Sequence, residues 1–283
     1  MAASSGITLT SGMRANLYSL QNTNSLLERT QKRLATGQRV QSAVDDPVNY
    51  FTALGHRQRS QDLASRKDEM SESVQLISAA NEGVESITAL IASAKSLAQS
   101  ALSASTTTEI NTLYSQYKEV LNQIDQVGED SGYKGVNLLD STAITHTVKF
   151  DENGDSLLTI TGFDAAAQGA TLSLSTHGTN AWVSAGGTAD KAEINSAISK
   201  LDGARSALRT EAQKLSTNLS TITIRQDFTK GMINTLEDGA AELTNADMNE
   251  EGANMLMLQT RQSLGTTSLS LASQSAQSVL RLF

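Results

Sequence analysis

Apolar residues fall at the helical period along most of the chain. Met13, Leu17, Leu20, Leu27 and Leu34 are separated mostly by three, four or seven residues, the spacing that lines one face of a helix. Gly37 predicts the end of that helix. Asp45 and Asp46 then precede Pro47, the single proline of the chain. An aspartate cap followed by proline at the first helical position predicts a break and a fresh start. The next helix is predicted from about Pro47 to Ser103. Met70, Val74, Ile77, Asn81, Val84, Ile87, Ile91 and Ala94 form its coiled-coil seam, with one asparagine and one irregular step. From about Thr107, Ile110, Leu113, Tyr117, Val120, Ile124 and Val127 alternate steps of three and four.

The pattern then changes. Thr145 to Phe150 and Ser156 to Thr161 alternate and are rich in β-branched residues, with the turn pair Asn153-Gly154 between them, which predicts a β-hairpin. Ala170 to Ser175 fits a further strand, and Gly178 to Gly187 reads as a loop around Trp182. Helix resumes near Thr188, the expected cap. Ile194, Ile198, Leu201, Leu208, Ala212, Leu215, Leu219, Ile222 and Ile233 carry the rhythm onward. After an acidic break at Asp247 to Glu251, a last helix carries Met257, Leu264 and Leu271 seven apart, with Leu258, Leu269, Ala272, Ala276 and Val279 beside them. The fold class is therefore mainly α: a long antiparallel coiled-coil or helical-bundle rod with a small β-hairpin insert. A helix of about 45 residues would be ~65–70 Å long.

Charge is missing where a surface helix normally shows it. No charged side chain occurs between Ala15 and Leu27, or between Gln262 and Leu280; Asn, Gln, Ser and Thr separate the leucines instead. Such helices bury too little alone to offset the entropy of ordering them. Their order is expected only when many copies pack together, where an unpaired charge would be costly.

Composition narrows the remaining classes. Aromatics are only 4% of the residues, so Leu, Ile, Val and Ala must build the core. The chain has no cysteine, which excludes disulfides, thiolate metal sites and cysteine nucleophiles. A formal charge of −8 argues against nucleic-acid binding. No cationic run followed by an apolar block opens the chain, and no stretch is long and apolar enough to span a membrane. Export without a cleaved signal and no membrane insertion are expected.

Three motifs carry a resemblance. Arg33 to Asp46 reads RLATGQRVQSAVDD, Gly132 to Leu139 reads GYKGVNLL, and Gln259 to Phe283 closes with LASQSAQSVLRLF. In this order they resemble the bacterial flagellin family over nearly the whole chain. Pro47 departs from the small residues usual after the acidic pair, and Tyr133 replaces a usual phenylalanine. The resemblance implies a structural subunit of the flagellar filament, a short form without outer domains and not an enzyme. It implies an inner-tube domain of residues 1–44 plus 245–283, a helical core domain of 45–140 plus 187–244, and a hairpin insert at 141–186. Leu17, Leu20, Leu27, Leu34, Leu258, Leu264, Leu269, Leu271, Val279 and Leu282 would be the polymerising inner-tube residues, and Arg33, Gly37, Arg39, Asp45 and Asp46 the signature positions. Implied partners are other copies of the chain, the flagellar export apparatus, an export chaperone, and the filament cap and junction proteins. The implied location is extracellular, in the flagellum.

The family also presents a helical stretch to an innate immune receptor. Its counterpart here is Ser93 to Ser100, where Ser93 and Ser96 replace an arginine and a glutamate beside Lys95 and Leu97; weak receptor activation is expected. Other constellations carry little chemistry. His56, His146 and His177 have no metal-ligand spacing, and Asp151, Asn153 and Asp155 depart from a calcium loop. No cofactor or metal is expected. Asp45, Asp46 and Arg39 fit either a helix cap or ion pairs between subunits. Ser156, Thr159 and Thr171 are either plain strand residues or O-glycosylation acceptors. A hook–filament junction protein, a coiled-coil surface adhesin and an enzyme on a coiled-coil scaffold are the competing readings.

Overall fold

A computed structural model describes residues 11–174 and 182–280. The elements run α1 (Ser11–Thr36), α2 (Pro47–Ser103), α3 (Thr107–Asp130), β1 (Thr145–Lys149), β2 (Leu157–Thr161), α4 (Lys191–Thr244) and α5 (Met248–Leu280). They form two compact units, one of Met1–Gln58 with Leu236–Phe283 and one of Arg59–Thr235. No described helix is long and apolar enough to cross a membrane.

The inner unit of the sequence, Arg59–Thr235, holds one continuous core made by α2, α3, α4 and the hairpin. On α2 the buried line runs Met70, Ile77, Ala80, Val84, Ile87, Ile91, Ala94, Ala98 and Ala101. It passes through Ala80 rather than the predicted Asn81, which is only half-buried, so the irregular step disappears. On α3 the deepest residues are Ile110, Tyr114, Tyr117, Leu121 and Ile124. Leu113, Val120 and Val127 flank them, because the apolar face of this helix is wider than a two-position seam. On α4, Ile194, Leu201, Leu208, Leu215 and Ile222 are buried at every seventh position, as a heptad seam requires.

Caps fall where side-chain oxygens meet the free N–H groups of a first turn. Asp46 caps α2, accepting from the Asn49 backbone N–H at 3.1 Å, and Pro47 follows. Thr106 caps α3 through the Glu109 N–H. The cap of α4 is Asp190, which accepts from the N–H groups of Ala192 and Glu193 at 3.1 and 3.2 Å. Thr188, the predicted cap, is held instead in a turn with Ser184.

The hairpin is antiparallel, with Thr145 opposite Thr161, Thr147 opposite Thr159 and Lys149 opposite Leu157 on its exposed face. Val148 and Ile160 point into the core. The loop between the strands is organised by Asp151, whose carboxylate accepts from the N–H groups of Gly154, Asp155 and Ser156. Gly154 takes a φ of +80°, open to glycine at no steric cost. Asp151 is thus a turn organiser, and the described residues contain no group of three or more His, Asp or Glu able to hold a metal ion.

The further strand predicted at Ala170 to Ser175 is not formed over its described part, residues 170–174, which continue a pair of tight turns that begins at Ala166. Asp164 accepts from Ala166 and Ala170, and Leu174 donates back to the Ala167 carbonyl. The alternation of Leu172 and Leu174 reflected two buried contacts rather than a pleat. Residues 178–181 of the predicted Gly178–Gly187 loop, with His177, lie outside the described residues. Trp182 is described: it is buried against Tyr114 and Tyr117, ring centroids 5.1 and 4.7 Å away. Burial pushes the Tyr117 hydroxyl up to about 12.

Candidate assembly surface

The candidate site is the pair of terminal helices. α1 turns a heptad seam toward α5, with Met13, Leu20, Leu27 and Leu34 alternating with Asn16, Thr23 and Thr30, none of them fully exposed. Three of these seven seam positions are polar, which the leucine spacing alone does not disclose. α5 answers with Glu251, Met255, Leu258, Gln262, Gly265, Leu269 and Ala272, also shielded. The contacts show the two helices to be antiparallel. Arg33 Nη1 lies 2.7 Å from Glu251 Oε1, Gln262 Nε2 donates to Asn24 Oδ1 at 2.8 Å, and Asn16 Nδ2 donates to Ser268 Oγ at 3.4 Å. Between them Gly265 faces Leu20, whose Cδ2 would stand 2.7 Å from any Cβ placed there.

Glu251 is only 7% exposed. A carboxylate so enclosed needs a partner, and Arg33 supplies it. The sequence places Glu251 in an acidic break, but it lies seven positions before Leu258 and belongs to the seam. Thr23 deals with its buried hydroxyl locally, donating to the Ser19 carbonyl.

The predicted polymerising residues fall into two groups. Leu20, Leu27, Leu34, Leu258 and Leu269 lie in the seam within the chain, Leu258 fully buried and the others half-buried. Leu17, Leu264 and Leu271 do not: they are exposed. On α5, Leu256, Leu264 and Leu271 remain 67%, 66% and 60% exposed, and Met257 stands among them. This outer stripe repeats every seven residues through Met257, Leu264 and Leu271 and is not covered by any of the described residues. Leu17, Tyr18 and Leu26 add exposed apolar surface on α1. Val279 lies in α5 but its side chain is outside the described residues, as is Leu282 altogether.

The signature positions build the joint that carries this pair. Gly37, at φ +69°, ends α1 by donating to the Arg33 carbonyl, and its own carbonyl accepts from Ala246. Arg39 and Val40 both donate backbone N–H groups to the Thr244 carbonyl. The break after α1 and the break after α4 are thus bonded to each other. The Arg39 guanidinium reaches the Leu243 carbonyl, and Arg57 donates to Thr244 Oγ1 at 3.1 Å. Asp45 organises the loop: it accepts from the Ser42 hydroxyl and from the backbone N–H groups of Gln41 and Ser42, which holds its carboxyl below the usual range. Of the two aspartates, Asp46 is the helix cap.

The stretch resembling the receptor motif lies on α2. Ser93 and Ser96 face solvent, Leu97 is half-buried, and Lys95 is held by both oxygens of Asp202 at 2.7 and 2.8 Å. Lys95 in turn lowers the Asp202 carboxyl. Elsewhere, His146 bonds Ser73 at 2.9 Å, and burial lowers its pKa. A groove of about 680 Å³ between the hairpin and α4 is lined largely by threonines, among them Thr159, Thr161, Thr210 and Thr217. Its two charged side chains, Glu211 and Lys214, pair with each other at 2.8 Å.

Comparison with known proteins places these features in one family. Residues 8–143 match the model of the bacterial flagellin N-terminal helical region, and residues 192–283 that of the bacterial flagellin C-terminal helical region. Flagellin FljM of Caulobacter vibrioides is 30% identical, with 99% of each chain covered. A flagellin of Brucella melitensis is 27% identical over 94% of this chain and 95% of its own. Among solved structures, the Bacillus cereus flagellin crystal structure aligns with a TM-score of 0.46 at 18% identity, covering 57% of this chain and 88% of the other.

Proposed function

Because the chain belongs to the bacterial flagellin family, and is accordingly a structural subunit of the flagellar filament rather than an enzyme, we propose that it polymerises through the α1–α5 pair. The supporting observation is the double pattern on α5. One heptad stripe is used inside the chain, and a second, Met257, Leu264 and Leu271 with Leu256 beside it, is left in water. Apolar residues repeated in helical register on a face with no charged side chain from Gln262 to Leu280 match a helix covered on all sides. Neighbouring copies are what would cover it.

In this reading residues 1–44 and 245–283 line the inner tube. Residues 45–140 with 187–244 form the shell around it, and 141–186 are its hairpin insert. Leu20, Leu27, Leu34, Leu258 and Leu269 join the two ends of one subunit, while Leu17, Leu264 and Leu271 meet other subunits. The chain would leave the cell through the flagellar export apparatus without a cleaved signal, accompanied by an export chaperone, and meet the junction and cap proteins at the filament ends.

The test is deletion of Gly252 to Phe283. The truncated chain is expected to stay soluble and helical, since the core of Arg59–Thr235 is untouched, and to form no filaments by electron microscopy. Normal filaments from it would refute the assignment of the ends. Elongation of sheared filament seeds by the full chain separates a filament subunit from a junction protein, which would add no more than a few copies.

A further inference from the structure

The tip of the hairpin carries a reactive pair that the assembly surface leaves unused. Asn153-Gly154 is the single Asn-Gly step of the chain. In such a step the backbone nitrogen of the second residue can attack the side-chain amide carbon of the first and close a succinimide ring. Glycine shields that nitrogen least, because it has no Cβ. A bond forms between the Gly154 nitrogen and Asn153 Cγ, and the Cγ–Nδ2 bond breaks. Nδ2 leaves as ammonia, taking up the proton that the Gly154 nitrogen gave up. Water then opens the ring at either carbonyl and leaves aspartate or isoaspartate. Asn153 is exposed, so the water is at hand.

In the folded hairpin the attacking atom is engaged. The Gly154 N–H donates to Asp151 Oδ1 at 2.8 Å. The same carboxylate accepts from the N–H groups of Asp155 at 3.3 Å and Ser156 at 3.2 Å. Phe150 donates to the Ser156 carbonyl at 2.9 Å and closes the loop, and Arg59 Nε ties it to α2 through Glu152 Oε1 at 2.6 Å. Attack requires the Gly154 nitrogen to lose its proton and turn toward Asn153 Cγ. A carboxylate is far too weak a base to take an amide proton. Its negative charge, so close by, instead opposes the charge that would build on the nitrogen. Turning the nitrogen would also break the bonds that hold Gly154 at its φ of +80°.

We propose that Asn153-Gly154 is a spontaneous deamidation site which Asp151 keeps silent in the folded chain. The reaction runs while the hairpin is open and stops when Asp151 takes the Gly154 N–H. The loop thus records how long a chain has spent unfolded. The product also acts on the hairpin. Asp151, Glu152 and Asp155 already put three carboxylates within five residues, and deamidation adds a fourth. Isoaspartate further lengthens the backbone by one carbon between Asp151 and Gly154, so the three bonds to the Asp151 carboxylate can no longer form together.

The test incubates the full-length chain at mildly alkaline pH, folded in buffer and unfolded in urea. Mass spectrometry follows the peptide containing Asn153 for the gain of about 1 Da that exchange of an amide for a carboxyl brings. An isoaspartyl methyltransferase counts the isoaspartate. The unfolded chain is expected to deamidate at Asn153 at least about tenfold faster than the folded one, since a protected group reacts only through its open form. Equal rates overturn the proposal. Asp151→Ala, melting like the parent, should deamidate when folded at least about tenfold faster than the folded parent, because a charge-assisted bond is lost. The parental rate in that variant also overturns it. If Asp151→Ala melts early, Asp151→Asn takes its place: its side-chain oxygen still accepts from Gly154 but carries no charge. It too must outpace the folded parent, and a rate no higher than the parent's overturns the proposal.

Discussion

Gly265 sits in the middle of a 33-residue helix, where glycine costs about 1 kcal/mol relative to alanine. It is there because Leu20 occupies the space a side chain would need. Two glycines of this chain therefore give opposite outcomes for the same substitution. Gly203→Ala, in α4 with nothing within 4 Å, should stabilise the unit Arg59–Thr235 by about 0.5–1 kcal/mol, measured by thermal melting. Gly265→Ala should gain a similar helix propensity but lose about 1–3 kcal/mol to overpacking. Its net effect is a weaker terminal pair, seen as a higher critical concentration for elongation with the melting of the other unit unchanged. Enhanced assembly in Gly265→Ala would show that Leu20 yields without cost. Neither glycine can be told from the other by spacing, since the distinguishing fact is a contact between residues far apart in the chain.

At the scale of the elements, spacing identified the helices and their ends, because period and caps are local properties. It could not choose between adjacent apolar faces. On α3 the rhythm Leu113, Val120, Val127 is as regular as Tyr114, Leu121, Gly128, and only the packed neighbours decide which is deeper. On α5 the repeat Met257, Leu264, Leu271 was legible, yet it is the outer stripe, while the seam within the chain includes a glutamate, a glutamine and a glycine that no apolar count selects. The strand expected at residues 170–174 failed for a related reason: two buried leucines two apart fit a pleat and a double turn equally. The receptor-like stretch belongs to this scale as well. Its helix is formed, but Ser93 and Ser96 bring no charge, and Lys95 is engaged by Asp202. Purified monomer should activate the flagellin receptor weakly in a reporter assay. The pair Ser93→Arg and Ser96→Glu should raise the response, since charge-assisted bonds are the stronger ones. Strong activation by the unaltered chain would sink this reading.

At the scale of the whole molecule, the two units differ in what holds them. The unit Arg59–Thr235 has a continuous core of large apolar side chains. The terminal helices share a seam in which Asn16, Thr23, Thr30, Gln262 and Gly265 dilute the leucines, and they leave an apolar stripe in water. Local stability should follow that division. Amide hydrogen exchange is expected to be slow for the core helices in monomer and filament alike. For Ser11–Thr36 and Met248–Leu280 it should be fast in monomers and slow in filaments. Equal protection of the ends in both states would mean that they need no neighbours to order.

The close approach of Leu20 to Gly265, together with the Arg33–Glu251 pair, also acts as a ruler. Two helices with long charge-free stretches and repeating leucines could slide past each other by a whole heptad and still bury leucine on leucine. Such a slip would set Leu20 against Leu258 or Ala272 in place of Gly265, and Arg33 against Leu258 or Thr244 in place of Glu251. Each alternative crowds or widens the seam and strands an enclosed charge. These four residues make the right alignment recognisable to the chain itself.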